Sequence, residues 1–311
     1  MITMITMNTM NEAKNMFVSS RGILKSCNYY SLSAPISSIT KLINYPAVAS
    51  IKTIKTPTLY ICGSALSDFI SSKLPQITFK FILVSGDCDE TIPYDSINKT
   101  AFIKLINNPY LVHWFSQNVV VTHEKITIIP IGLDYHTMTR STIFGPITNC
   151  SLQEKQLLQI HANAKPFYER SYKCYANFHF SMNNKYCFDR RDALAQIPEA
   201  LVVYEKNKCY RIDTWKKQTE FAFVISPFGG GLDCHRTWEA LMLNCIPIVK
   251  SSKIDNLYKE LPVLIVNDWS TLSQELLEST IIDYKQKYEA KLFNYNKLRL
   301  NWWMNLINSY K

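Results

Sequence analysis

The sequence predicts an α/β protein with two parallel sheets in tandem, facing each other across a cleft. Three observations support this. The chain has 311 residues, enough for about two domains at ~100–200 residues each. Its strand-like segments are short unbroken apolar runs rather than alternating ones, as expected for strands covered on both faces. Those runs alternate with helical patterns at a spacing that implies right-handed βαβ crossovers.

In the first half, residues 58–62 (TLYIC) form an apolar run closed by Gly63. Residues 79–85 (FKFILVS) are a stronger strand signal, rich in aromatic and branched side chains and closed by Gly86. Residues 118–122 (NVVVT) and 126–131 (ITIIPI) read as two further strands, with weaker helical patterns over 64–72 and 99–106. The rhythm breaks over 145–170, which holds Gly145-Pro146, a polar stretch and Lys165-Pro166. The domain boundary is expected there: 1–165 as the first domain, 166–290 as the second, and 291–311 as a C-terminal helix. In the second half, strands are expected at 175–181, 201–204, 221–226, 246–249 and 262–266. Helices are expected at 189–196, 213–219, 235–244 and 271–279, with a helical turn at 253–260.

The composition excludes several classes. At 47% hydrophobic and 19% charged, the chain is neither disordered nor collagen-like. No window of ~18 apolar residues marks a transmembrane helix. The N-terminal stretch MITMITMNTMNEAKN lacks a basic segment followed by an apolar core, so no secretory signal is read. Nine Cys without CxxC spacing fit reduced thiols better than a disulfide framework, and a cytoplasmic location is expected. Six His show neither HExxH nor HxxxH, so no metal site is expected. The net charge of +9 favours an anionic partner. The chain lacks the basic stripe with interleaved aromatics that a nucleic-acid-binding surface calls for.

Glycine is scarce, with 8 residues in all, yet three stand together as Gly229, Gly230 and Gly231. The segment FAFVISPFGGGLDCHRTWEAL reads as strand, glycine loop, helix. Ligands of open α/β sheets bind at the carboxyl ends of strands. A helix N-terminus offers unpaired N–H groups and a positive dipole end to a phosphate. Arg236 adds a planar charged fork suited to a diphosphate. Glu239, three residues on, shares its helix face and can accept hydrogen bonds from two ribose hydroxyls. The bland alternative is a tight turn, with Asp233 as an N-cap and Arg236–Glu239 as a surface pair.

Over 226–269 the chain resembles the exostosin-like glycosyltransferases (glycosyltransferase family forty-seven and its relatives). The resemblance rests on Ser226-Pro227, the glycine loop, LDCHRTWEAL, the strand CIPIV and the downstream LPVLIVNDW. Tyr175-Ala-Asn-Phe178 and Asp189-Arg190-Arg191 extend it upstream. Val84-Ser-Gly-Asp87 and Ile129-Pro-Ile-Gly-Leu-Asp134 match more faintly. Gly230 and Asn244 depart from the pattern, where relatives often carry Asn and Gly. The resemblance implies a GT-B fold, two Rossmann-like domains facing across a cleft. It implies a nucleotide-sugar donor, usually UDP-linked, as co-substrate on the C-terminal domain, and a glycan or glycoconjugate acceptor on the other. Carried onto this chain, Arg236 holds the diphosphate and Glu239 the ribose, while Ser226 and the three glycines form the phosphate loop. Arg190 reads either as a second diphosphate partner or as a solvated surface residue. Asp255 reads either as a neighbour of the donor sugar or as a surface cap.

Glycosyl transfer needs a stabilised leaving group and an acceptor hydroxyl relieved of its proton. Asp87, at the end of the strong strand, and His235, beside Arg236, are the candidate catalytic residues. Asp87-Cys88-Asp89 also reads as a metal-holding Asp-x-Asp motif, though a donor site built on Arg236 makes a metal redundant. Asp134 is a further carboxylate, equally readable as a turn residue. The aromatic, basic stretch 289–309 reads as a last helix crossing back onto the first domain or as an interfacial membrane-binding helix. A binding module without transfer, and a basic nucleic-acid-binding protein, are the competing functions.

Overall fold

A computed structural model describes residues 12–31, 42, 44–179, 183 and 185–311. It is an α/β structure with two all-parallel sheets. The first sheet has β1 (Thr58–Cys62), β2 (Phe81–Gly86), β3 (Leu111–Ser116) and β4 (Ile126–Ile128), paired in sequence order. The second has β5 (Ser171–Ala176), β6 (Val202–Tyr204), β7 (Phe221–Ile225), β8 (Ile246–Lys250) and β9 (Leu264–Val266). Its order is β6-β5-β7-β8-β9.

The unbroken apolar runs have the predicted cause. Successive residues of a strand point to opposite faces, so a strand covered on both sides must be apolar throughout. In the first sheet Leu59, Ile61 and Leu83 enter an outer core, while Tyr60, Ile82 and Val84 enter an inner one. In the second, Phe223, Ile225 and Ile248 face outwards and Val224 and Val249 inwards. The inner core is continuous across both halves of the chain. Each large apolar side chain buried this way contributes about 1.5–3 kcal/mol before entropy is counted.

Some elements differ from the sequence expectation. The third strand is Leu111–Ser116, not 118–122. Asn118 takes a left-handed φ of 51°, which ends the extended run, and Val119 keeps only an isolated bridge to Ile92. The polar stretch around residue 150, where the rhythm breaks, holds the 14-residue helix Cys150–Asn163. Asn149 caps it by accepting the Leu152 N–H at 2.8 Å. Only Cys150, Gln153 and Leu157 are buried along it, so its amphipathic signal is faint. The strand expected at 175–181 is Ser171–Ala176, and residues 180–182 lie outside the described residues. The helix expected to end at 279 runs on as Gln274–Glu289.

The chain's end returns to its beginning. The Leu300 N–H donates to the Met16 carbonyl and the Val18 N–H to that of Leu298, both at 2.9 Å. Helix Leu300–Asn308 buries Trp303 and Ile307. Beyond it the Tyr310 ring lies 4.2 Å from His113 and 5.4 Å from Phe115 of β3, centroid to centroid. Among the described residues, no helix is long and apolar enough to cross a membrane.

Candidate functional site

The order in which strands are added to the second sheet reverses between β5 and β7, with β6 to one side and β8 to the other. Loops on either side of such a switch point diverge and leave a crevice at the strands' carboxyl ends. A cleft of about 610 Å³ opens there. The second half lines it with 177–179 after β5, 205–209 after β6, and the glycine loop with the start of helix His235–Met242 after β7. The first half contributes Asp89, Ile131, Asp134, Ile143 and Phe144.

Arg236 lines the cleft half-buried on that helix's first turn. Its guanidinium donates to the Pro227 carbonyl at 3.4 Å and lies 5.6 Å over the Phe178 ring. Among the described residues no carboxylate pairs with it. Burial pushes its pKa down to about 10, so the charge is retained at neutral pH. Arg190 is buried beside it, donating to the carbonyls of Phe228 (2.9 Å) and His179 (3.0 Å). It is therefore not a solvated surface residue. The capping residue Cys234 makes no side-chain hydrogen bond to the helix end, the Thr237 N–H donates to the Cys234 carbonyl at 3.0 Å, and Cys234, His235 and Arg236 line the cleft.

The glycines have two jobs. Gly229 and Gly230 line the cleft. Gly231 also meets the first half, where an added Cβ would lie 2.7 Å from the Asp89 carbonyl oxygen. The bare backbone serves this junction as well as any ligand. Ser226 stands behind the loop: its hydroxyl shares a 2.8 Å hydrogen bond with that of Thr237, and it does not line the cleft.

Glu239 lines the cleft nearly buried, with the Arg211 Nε 3.7 Å from its Oε1. His235 Nδ1 lies 2.7 Å from the Gly132 carbonyl oxygen. A carbonyl only accepts, so Nδ1 carries a hydrogen and the neutral ring has its lone pair on Nε2. The two candidate catalytic residues differ in placement. His235 lines the cleft, whereas Asp87 is buried behind it. The Asp87 carboxylate accepts from Ser20 Oγ at 3.3 Å and faces Arg21 at 3.5 Å. Burial raises its pKa. Asp89, two residues on, is exposed in the cleft instead, so the two carboxylates of the Asp-x-Asp pattern occupy different environments. Asp255 also lies away from the cleft lining. It caps locally, accepting from Ser251 Oγ at 2.6 Å and from the Ser252 N–H at 2.8 Å.

Four residues at the site were not singled out for it by sequence reasoning. Asp189, fully buried, accepts from the Phe228 N–H (2.9 Å) and Trp269 Nε1 (2.7 Å) and so fixes the loop entering the cleft. Asp233 is no simple cap. Its carboxylate accepts from the Ile131 N–H (2.7 Å), Trp238 Nε1 (2.9 Å) and Tyr258 OH (3.1 Å), while its own N–H donates to Asn118 Oδ1 (3.0 Å). Asn177 follows β5 directly and has a buried Oδ1 with no hydrogen-bond partner among the described residues. Arg211 donates to the carbonyl (2.5 Å) and carboxylate (2.7 Å) of Asp134. Burial opposes the Asp134 charge, but Arg211, His136 and His235 outweigh it and hold that carboxyl well below the usual range. Asp134 is thus part of the cleft wall and also a turn residue, its Oδ1 accepting the Thr137 N–H at 3.0 Å. Asp189, Asp233 and Arg211 each take partners distant in sequence, and their local sequence does not announce those contacts.

No family model matches the chain, and no curated protein does.

Proposed function

We propose that the protein is a glycosyltransferase of GT-B arrangement, moving a sugar from a nucleotide-diphosphate donor to an acceptor hydroxyl. Arg236 carries the proposal: a half-buried guanidinium with no carboxylate partner among the described residues, at a helix N-terminus, beside a glycine loop in the cleft. A cation so placed is completed by an anionic ligand. The donor diphosphate lies against Arg236, Arg190 and the first N–H groups of helix His235–Met242. The ribose hydroxyls donate to Glu239, and the nucleobase lies towards 205–209. Asn177 Oδ1 offers one more acceptor to a ligand donor.

His235 is the base. The acceptor oxygen bonds to the anomeric carbon and its proton passes to Nε2. The bond from that carbon to the diphosphate breaks, its electron pair leaving on the phosphate oxygen. Arg236, Arg190 and the helix dipole stabilise that developing charge. Asp87, buried against Arg21, takes no part in the transfer.

Calorimetric titration with UDP, GDP and CMP tests the reading. One nucleotide is expected to bind, and Arg236→Ala to weaken it by about 10–100-fold, the loss of a charge-assisted pair. Unchanged affinity in that variant overturns the site. Binding of nucleotide sugars with no hydrolysis or transfer for any acceptor leaves a binding module instead.

A further inference from the structure

Arg211 begins helix Arg211–Gln218. It is 8% exposed, and it faces both halves of the chain. Towards the first half, its N–H donates to the Phe144 carbonyl at 2.8 Å, its guanidinium lies 4.5 Å over the Phe144 ring, and two of its nitrogens bind Asp134. Towards the second half, its Nε faces Glu239 Oε1 at 3.7 Å.

That last contact is an ion pair too long to be a hydrogen bond. Glu239 makes no side-chain hydrogen bond among the described residues, although only 10% of its side chain is exposed. A buried carboxylate is tolerated when a cation stands beside it, and its unspent acceptor capacity then seeks donors. The fork of Arg211 is already committed to Asp134 through the other nitrogens, so the guanidinium is fixed from the first half. It neutralises Glu239 without occupying its oxygens.

We propose that Arg211 is a positioning residue that sets cis-diol recognition in the cleft. It holds the Glu239 carboxylate facing the ligand and ties that placement to Asp134 on the opposite wall. This rests on the reading of Glu239 as the ribose-binding residue. The ligand class it selects is a ribonucleotide, discriminated from its 2′-deoxy counterpart.

The test is calorimetric titration of the full-length protein with UDP and with 2′-deoxy-UDP. The wild type is expected to prefer UDP by about tenfold or more, because the deoxy ligand leaves a carboxylate oxygen unpaired. Arg211→Met is expected to bring that preference close to one while the diphosphate contacts with Arg236 keep measurable UDP binding. Arg211→Lys, which keeps the charge and loses the fork, is expected to restore part of it. Asp134→Asn, which loosens the guanidinium without emptying its place, is expected to reduce the preference and substitutes for Arg211→Met should that variant fail to fold. A purely structural Arg211 would lower affinity for both ligands alike and leave their ratio unchanged, and that result overturns the proposal. Failure of the underlying reading looks different: a wild type that binds neither ligand, or binds both equally, removes the ribose site and this proposal together.

Discussion

Asp233 shows how much one buried carboxylate can organise. Its acceptors serve a backbone N–H of the first half, an indole of the helix bearing Arg236, and the Tyr258 hydroxyl. Buried donors left without acceptors cost about 1–3 kcal/mol each. Asp233→Ala strands three of them, and a loss of about 3–5 kcal/mol is expected in urea unfolding monitored by tryptophan fluorescence. Asp233→Asn keeps the shape and one acceptor oxygen, so its loss should be smaller. Asp255 is the contrast. Its bonds reach only Ser251 and Ser252, and its removal costs no more than a local cap. Both residues are an Asp near a strand end, and nothing in their immediate sequence separates the hub from the cap. The difference lies in what the fold brings to them.

The same division runs through the elements. Strands β1 and β2 were legible because their apolar runs are continuous and a glycine closes each, as were β7 and the helix after it. Strand β3 was not. Its sequence LVHWFS sets His113 and Ser116 among apolar residues, and both are buried only because Thr127 and Ser85 satisfy them at 2.8 and 2.6 Å. Helix Cys150–Asn163 was hidden for the opposite reason, since it buries too little to leave a stripe. At the cleft, Arg236, His235, Glu239 and the glycines were legible as a local pattern. The roles of Arg211 and Asp189 were not, because their partners come from other segments. The glycine loop illustrates both kinds of information. Its place at a strand's carboxyl end was readable, whereas the close fit of Gly231 against Asp89 and Asn118 depends on the two halves meeting. Gly231→Ala places a Cβ 2.7 Å from backbone and 2.9 Å from Asn118 Nδ2. A destabilisation of about 1–3 kcal/mol is expected from that overpacking, together with weaker nucleotide binding. A variant with wild-type unfolding midpoint and affinity would mean that the junction yields freely.

At the scale of the molecule, what closes the structure is its acid-sensitive part. Near the chain's end, Tyr310 lies on His113 of the first sheet, and His136 stands between Asp134 and His235 where the halves meet. Burial lowers the His113 pKa to about 4 and the His136 pKa to about 3, the latter although Asp134 pulls it upwards. In the unfolded chain a histidine titrates near 6.5. Between about pH 6.5 and pH 3–4 the unfolded state therefore binds more protons than the folded one, and stability rises with pH across that window. Above about pH 6.5 both states carry neutral rings and the contribution is constant. Below about pH 3–4 both are protonated and the loss is complete. In urea unfolding at a series of pH values, each of the two histidines should add up to about one proton to the slope between pH 4 and 6, against the opposite contribution of buried carboxylates such as Asp87. His113→Gln should reduce that slope while leaving nucleotide binding intact, because His113 is remote from the cleft lining. An unchanged slope in His113→Gln would assign the acid sensitivity to the cluster around Asp134 alone. The closure by the C-terminal residues would then be indifferent to pH.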